Sequence, residues 1–364
     1  MKNYIIAEIG TSHQGDFTKA KKLIDAAANS GADCVKFQWV YAKEILHPKT
    51  GFVDLPTGKI PLYNRFLQLE VKKSFYKKCR DYAYSKNLDF GCSPFGIKSL
   101  RQLVAINPDM IKIASPELNH FPMLEELCKL QKKRKIKIPV ILSSGVSKLE
   151  DIKKALAIFE KNNQKETVSL LHCVTSYPAP EEDYNLKVLE NLKNQFNVKV
   201  GISDHSLNPI IVPLTGYLTG SRIVEKHITL SNETEGLDDP VALNPENFKK
   251  MVETLRSFEG ESKEKILEYL ENNFGKEKIA LVLGTGEKKL AKAEEANYTR
   301  TNRSIHFMKD LKAGKKIKKS HISILRTEKV LTPGISPEFY EQVLGKKLKT
   351  DVEDGEGLLW EHLL

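Results

Sequence analysis

From Tyr4 onward the chain alternates between two apolar patterns. YIIAEIG is a continuous, β-branched apolar run that stops at Glu8 and Gly10, the pattern of a buried strand. After the polar turn TSHQGD, Ala20, Leu23, Ile24 and Ala27 recur at helical spacing. Asp16 is placed to cap that helix and Gly31 to stop it. ADCVKFQWV is the next strand. A long excursion, YAKEILHPKTGFVDLPTGKIPLYNRF, follows; loops of that length are usually functional or disordered. The unit then repeats. The helices VKKSFYKKCRDYAYSKN, SLRQLVAI, FPMLEELCKLQKK, LEDIKKALAIFEKN and YNLKVLENLKNQF lead into the strands LDFGCSPF, DMIKIASPE, IPVILSSG, VSLLHCVTSYP and VKVGISDHS. Pro213 predicts a short or broken helix next. RIVEKHIT closes the series, and NPENFKKMVETLRSF is a helix after it.

About eight strand–helix units over some 250 residues have the rhythm of a (β/α)₈ TIM barrel, an α/β fold. A doubly wound sheet alternates too, but it has fewer strands and a Gly-rich phosphate loop, and neither GxGxxG nor GxxxxGK[ST] occurs. The pattern then changes. Residues 262–274 read as a polar helix and GKEKIALVLGTGEKKLAKAEEANYT as a charged connector. From Arg300 the segments are short and β-like, with turn signals at KAG, TPG and EDGEG. The boundaries read as a barrel over 1–260, a linker with a helix over 261–299 and a small, mostly β domain over 300–364. So small a domain has a marginal core and is expected to dock on something.

Composition narrows the function. At 40% hydrophobic and 29% charged the chain is of the soluble globular type. It has no stretch able to span a bilayer, and its N-terminus breaks at Glu8, too early for a signal peptide. These features predict a cytoplasmic protein that uses neither membrane nor nucleic acid. The net charge of +10 comes from lysines dispersed on helix faces without interleaved aromatics, a solvated surface. Cys34, Cys79, Cys92, Cys128 and Cys173 are odd in number and lack CxxC spacing, which argues against disulfides and structural zinc.

In a barrel the chemistry sits at the C-terminal strand ends. Two strand ends carry a histidine, His205 in GISDHS and His227 in EKHIT. Two imidazoles on adjacent strands suit an open metal site with positions left for water or substrate. Lys36 and Lys112 lie within apolar strands, where an unpartnered ammonium is costly. Together with Ser93, Ser115, Ser143, Ser144 and Ser203 they suit a phosphorylated carboxylate. Glu8 and Glu117 supply acid/base or orienting groups.

The ordered motifs AEIG-xx-H-x-G, GAD-x-VKFQ, SPF, IKIAS-x-E, ILSSG, LLHC-xx-x-YP, GISDHS and EKHIT resemble the sialic acid (N-acetylneuraminate) synthases and their relatives that make legionaminic and pseudaminic acids. The tail, NRSIHFMKDLKAGKKI and TPGISP…VLGKK, is similar to that family's C-terminal antifreeze-like (SAF) domain. The resemblance implies condensation of phosphoenolpyruvate (PEP) with an N-acyl-mannosamine-type aldose, giving a nine-carbon 2-keto sugar acid and phosphate. It implies that Lys36, Ser93, Lys112, Ser115, Ser143 and Ser203 hold PEP. His205 and His227 would hold a divalent cation, Mn²⁺ first, with Mg²⁺ or Co²⁺ as alternatives. Glu8, Gln38, Glu117, Tyr177 and Asp238 would face the sugar or the cation's water, with Glu8 or Glu117 handling the proton. It further implies a domain-swapped homodimer whose tail offers an arginine to the sugar. Arg326 is the candidate and Arg303 a structural alternative, because extra residues separate Arg326 from Pro333-Gly334. Thr57 and Thr175 stand where the family commonly has amides.

Two other readings compete. A class I aldolase would use Lys112 as a Schiff base and leave both histidines structural. A barrel without activity would serve as a binding module.

Overall fold

A computed structural model describes the chain apart from Met1, Pro56, Thr57, Glu235 and Lys329, and apart from the side chains of Asp54 and Leu55. Among the described residues ten strands precede the tail: β1 (Tyr4–Gly10), β2 (Cys34–Trp39), β3 (Phe52–Leu55), β4 (Gly58–Pro61), β5 (Asp89–Pro94), β6 (Met110–Ile113), β7 (Val140–Ser143), β8 (Val168–Cys173), β9 (Lys199–Asp204) and β10 (Ile223–His227). All but β3 and β4 close into a parallel barrel in the order β1-β2-β5-β6-β7-β8-β9-β10. The expected TIM barrel is the observed fold. Asp16 caps the first helix by accepting from Thr18 N, and Gly31 follows its end at φ +82. Pro213 sits in a short helix, Ile211–Leu218.

Two segments differ from the sequence reading. The excursion after β2, read as functional or disordered, carries elements of its own among the described residues: a turn of helix at Ala42–Ile45, the antiparallel pair β3 and β4, and a helix at Leu62–Gln68. The charged connector opens with a second helix, Lys276–Leu283, whose Ile279 and Val282 are buried. Dispersed lysines hid that apolar stripe.

Alternation along the strands builds the interior. Ile6, Cys34, Met110, Ile141 and Leu171 form an apolar plug inside the barrel. Gly91 and Gly201 belong to the same level, where an added Cβ would collide with Met110 and with Leu171. Two residues further along these strands the side chains point inward again. They are Glu8, Lys36, Ser93, Lys112, Ser143, Cys173 and Ser203, all buried. The plug thus floors a polar cavity. On the outer face of the sheet, Lys226 and Asp204 pair at 2.6 Å with both side chains at 0% exposure, and they are register partners between β10 and β9.

The tail contributes β11 (Arg303–Phe307) and β12 (Ile322–Arg326), paired antiparallel. Elsewhere it is held by turns and isolated bridges over a small core that includes Ile305, Phe307, Ile324, Val343 and Leu358. It docks, as a core of that size requires, and its surface is the mouth of the barrel.

Candidate active site

The cavity at the C-terminal strand ends has a volume of ≈ 350 Å³. Its floor is an ion network. Lys36 pairs with Glu8 and lies 3.1 Å from Ser93 Oγ and 3.7 Å from Glu225. Lys112 donates to both oxygens of Glu225, at 2.7 and 2.8 Å. Ser203 Oγ donates to Glu225 at 3.1 Å. Burial lifts Glu8 above the ordinary carboxylate range, against the pull of Lys36. Burial would lift Glu225 as well, but the charges of Lys112 and Lys36 hold it below that range. The floor therefore offers two ammonium groups, one firmly ionised carboxylate and one carboxyl poised to carry a proton. Ser143 Oγ has no partner among the described residues, and Ser115 Oγ accepts from Gly145 N at 3.0 Å.

Above the floor the two histidines converge, with ring centroids 5.5 Å apart. His205 Nδ1 donates to Val174 O at 2.9 Å, which leaves Nε2 as its free donor atom. Tyr177, half exposed at the rim, stacks on His205 at 4.3 Å. Burial holds His227 neutral, down to about 4. His205 is opposed by burial but raised by Cys173, whose Sγ lies 3.8 Å away. Among the described residues no group of three or more His, Cys, Asp or Glu could hold a metal. Two imidazoles, one oriented through its second nitrogen, nevertheless fit an open divalent site that takes its remaining positions from water or substrate. Gln38 Nε2 bridges the two levels, 3.0 Å from Glu8 Oε1 and 3.4 Å from Asp238 Oδ2. Gly10, at φ +57, passes so close that a Cβ would press on Gln38 and Glu8.

The structure brings together Glu8, Lys36, Gln38, Ser93, Lys112, Ser115, Ser143, Tyr177, Ser203, His205, His227, Asp238 and Arg326 around one cavity. Glu117 takes another place. It is fully buried between two guanidiniums, accepting from Arg303 at 2.9 and 3.1 Å and from Arg326 at 2.8 and 3.1 Å, and it does not line the cavity. Arg303, also buried, ends on the carbonyls of Phe95 and Glu44. Arg326 reaches the cavity from the tail, and in this single chain the tail lies on its own barrel. Thr175 lines the cavity, whereas Thr57 lies outside the described residues.

Sequence reasoning missed Glu225, although it precedes His227 by two in the strand and so shares its face. It also missed Cys173, and it missed Asn297 and Thr301, which line the cavity from the connector. No periodicity marks those last two.

With this geometry in place, comparison with known proteins identifies the lineage. The NeuB family pattern matches residues 23–266. The chain belongs to the NeuB family. A SAF domain matches residues 302–364, in agreement with the family and tail expected from the motifs. The chain is 33% identical to the N,N'-diacetyllegionaminic acid synthase of Campylobacter jejuni over 350 residues, covering 95% of each. It is 30% identical to the synthase of that name from Legionella pneumophila, covering 100% of this chain and 95% of the other. Among solved structures, the spore coat polysaccharide biosynthesis protein spsE of Bacillus subtilis superposes with a TM-score of 0.84 at 29% identity, covering 100% and 95%. The N-acetylneuraminic acid (sialic acid) synthetase of Leptospira borgpetersenii, solved with citrate, gives a TM-score of 0.63 at 30% identity, covering 76% and 93%. Among the described residues no helix is long and apolar enough to cross a membrane.

Proposed function

We propose that this NeuB-family chain is a PEP-dependent nonulosonic acid synthase, condensing PEP with an N-acyl amino sugar aldose and releasing phosphate. The observation that carries the reading is the stacking of levels in one cavity: two ammonium groups and a free serine hydroxyl below, two converging imidazoles above. Lys36 and Lys112 would bind the phosphate and carboxylate, exchanging part of their Glu8 and Glu225 contacts for the substrate, while Ser143 Oγ donates a further bond. A divalent cation, Mn²⁺ first, held by His205 and His227 would polarise the acceptor aldehyde as a Lewis acid. Tyr177, Asp238 and Gln38 would orient the sugar, and Arg326 would close over its acyl end. The PEP methylene carbon forms the new bond to the aldehyde carbon, whose oxygen gains a proton. Water adds at C2 of PEP and loses a proton, and phosphate leaves. Glu8, raised by burial, is the group suited to pass that proton.

The partners follow from the same reading. PEP and the amino sugar are the substrates, and a homodimer could exchange tails so that Arg326 and Glu117 meet across two chains. Five free, buried cysteines support a reducing, cytoplasmic setting.

The test is phosphate release from PEP with Mn²⁺ across N-acetylmannosamine and di-N-acyl amino-sugar acceptors. Turnover with at least one acceptor is expected; no release with any of them would overturn the reading.

A further inference from the structure

The connector between barrel and tail is stapled to the mouth of the barrel rather than slung between domains. Glu294 is 1% exposed. Its Oε1 accepts from Val146 N and from Thr175 N, both at 2.7 Å, and its Oε2 accepts from Ala291 N at 3.2 Å. One carboxylate oxygen therefore joins the loop after β7, whose Gly145 N bonds Ser115 of the cavity wall, to the loop after β8, which carries Thr175 into that wall. Asn302 Nδ2 donates to Val146 O at 3.0 Å, and Lys288 Nζ donates to Ser144 O at 2.9 Å. Asn297 stands three residues beyond Glu294, its N–H bonded to Glu294 O at 2.9 Å, and it lines the same cavity as Arg326 and Tyr177.

We infer that Glu294 is a positioning residue that clamps the connector onto the barrel, and that Asn297 is thereby a specificity-determining residue for the acceptor sugar. The inference rests on the synthase reading for its substrate but not for its geometry. Two backbone N–H groups converging on one buried carboxylate oxygen form a charge-assisted pair of bonds. Without that acceptor both donors are buried and unmet, the two loops lose their tie, and the amide of Asn297 loses its level. The charged groups of the PEP floor, Glu8, Lys36, Lys112 and Glu225, stand on β1, β2, β6 and β10, none of which carries a loop that the clamp ties. An amide at that height offers both a donor and an acceptor, the pair needed to read an N-acyl group or a sugar hydroxyl.

The experiment uses full-length protein. Asn297→Ala is expected to raise the acceptor KM about tenfold with the PEP KM unmoved. Glu294→Ala is expected to raise the acceptor KM similarly, and Glu294→Gln, which keeps one acceptor oxygen for both N–H groups, to restore it to within about threefold of wild type. Hydrogen exchange reads the clamp without turnover: the amides of Val146 and Thr175 should exchange faster in Glu294→Ala than in wild type. Unchanged exchange, or equal rises in both KM values, would overturn the inference while an active wild type leaves the synthase reading standing. A wild type without turnover would sink the synthase reading, and the exchange data would still decide the clamp.

Discussion

Arg326 of the tail and Glu117 of the barrel meet through three guanidinium bonds to one carboxylate, from Nη2 at 2.8 and 3.1 Å and from Nε at 3.1 Å. Arg303 binds the same carboxylate from the other side, so a barrel acid holds the tail and presents its arginine to the cavity. Glu117→Gln removes the charge from between two buried guanidiniums and is expected to cost about 3 kcal/mol. The acceptor KM should rise while the PEP KM stays put. A urea denaturation series and a two-substrate kinetic grid check this, and a parallel rise of both constants would contradict it.

His227→Ala should abolish cation-dependent turnover and leave the far-ultraviolet circular dichroism unchanged, because the ring packs into the cavity and not the core. Mn²⁺ binding, followed by electron paramagnetic resonance of the free ion, should be lost in the same variant. Chelation of the wild type with EDTA should give the same kinetic phenotype, reversed by added Mn²⁺. Full activity after chelation would rule out the cation's role.

Lys112 is expected to act as a charge and not as a nucleophile, because Glu225 grips its ammonium through both oxygens. Treatment with pyruvate and borohydride should leave the mass of the protein unchanged, whereas an adduct on Lys112 would favour the Schiff-base alternative. Glu225→Gln should destabilise the substrate-free fold by about 3 kcal/mol, since it strands the Lys112 ammonium in a buried site.

Acid should destabilise the fold through histidines outside the cation pair. Burial, aided by Lys288, holds His172 down to about 3. Burial holds His13 and His306 down to about 4. These rings stay neutral in the fold but take a proton near 6.5 once unfolded, so the unfolded chain binds more protons between those values. Stability is therefore full above pH 6.5 and is lost as pH falls toward 4, by about 1.4 kcal/mol per pH unit for each ring. His172 Nε2 donates to Tyr184 O at 2.6 Å and its Nδ1 has no partner among the described residues, so a second proton finds no acceptor. The urea midpoint should drop between pH 7 and pH 5, and His172→Gln should flatten its share of that slope.

The barrel was legible in the sequence because each strand is a continuous apolar run ending in a polar residue, and each helix shows one apolar stripe. Most of the cavity was legible for a related reason. A lysine inside CVKFQ or MIKIA breaks an apolar run, and alternation turns it inward. Glu225 carries the same signal but stands beside Lys226, so the pair EK reads as ordinary surface charge until the register separates their faces. Glu117 was read as a cavity acid because it stands just past a strand end; the short 3-10 turn at Ser115–Glu117 rotates it toward the tail. Asn297 and Thr301 had no signal, since the shape of a connector depends on what it lies against.

The buried Lys226–Asp204 pair behind the cavity has a consequence for how the strands are assembled. His227 ends β10 and His205 directly follows β9, and a slip of one residue between these strands would turn inner side chains outward. It would also leave an ammonium and a carboxylate buried without partners, at several kcal/mol. An ion pair that touches no substrate thus works as a key that admits one alignment of the two strands, and it sets the height at which His205 faces His227.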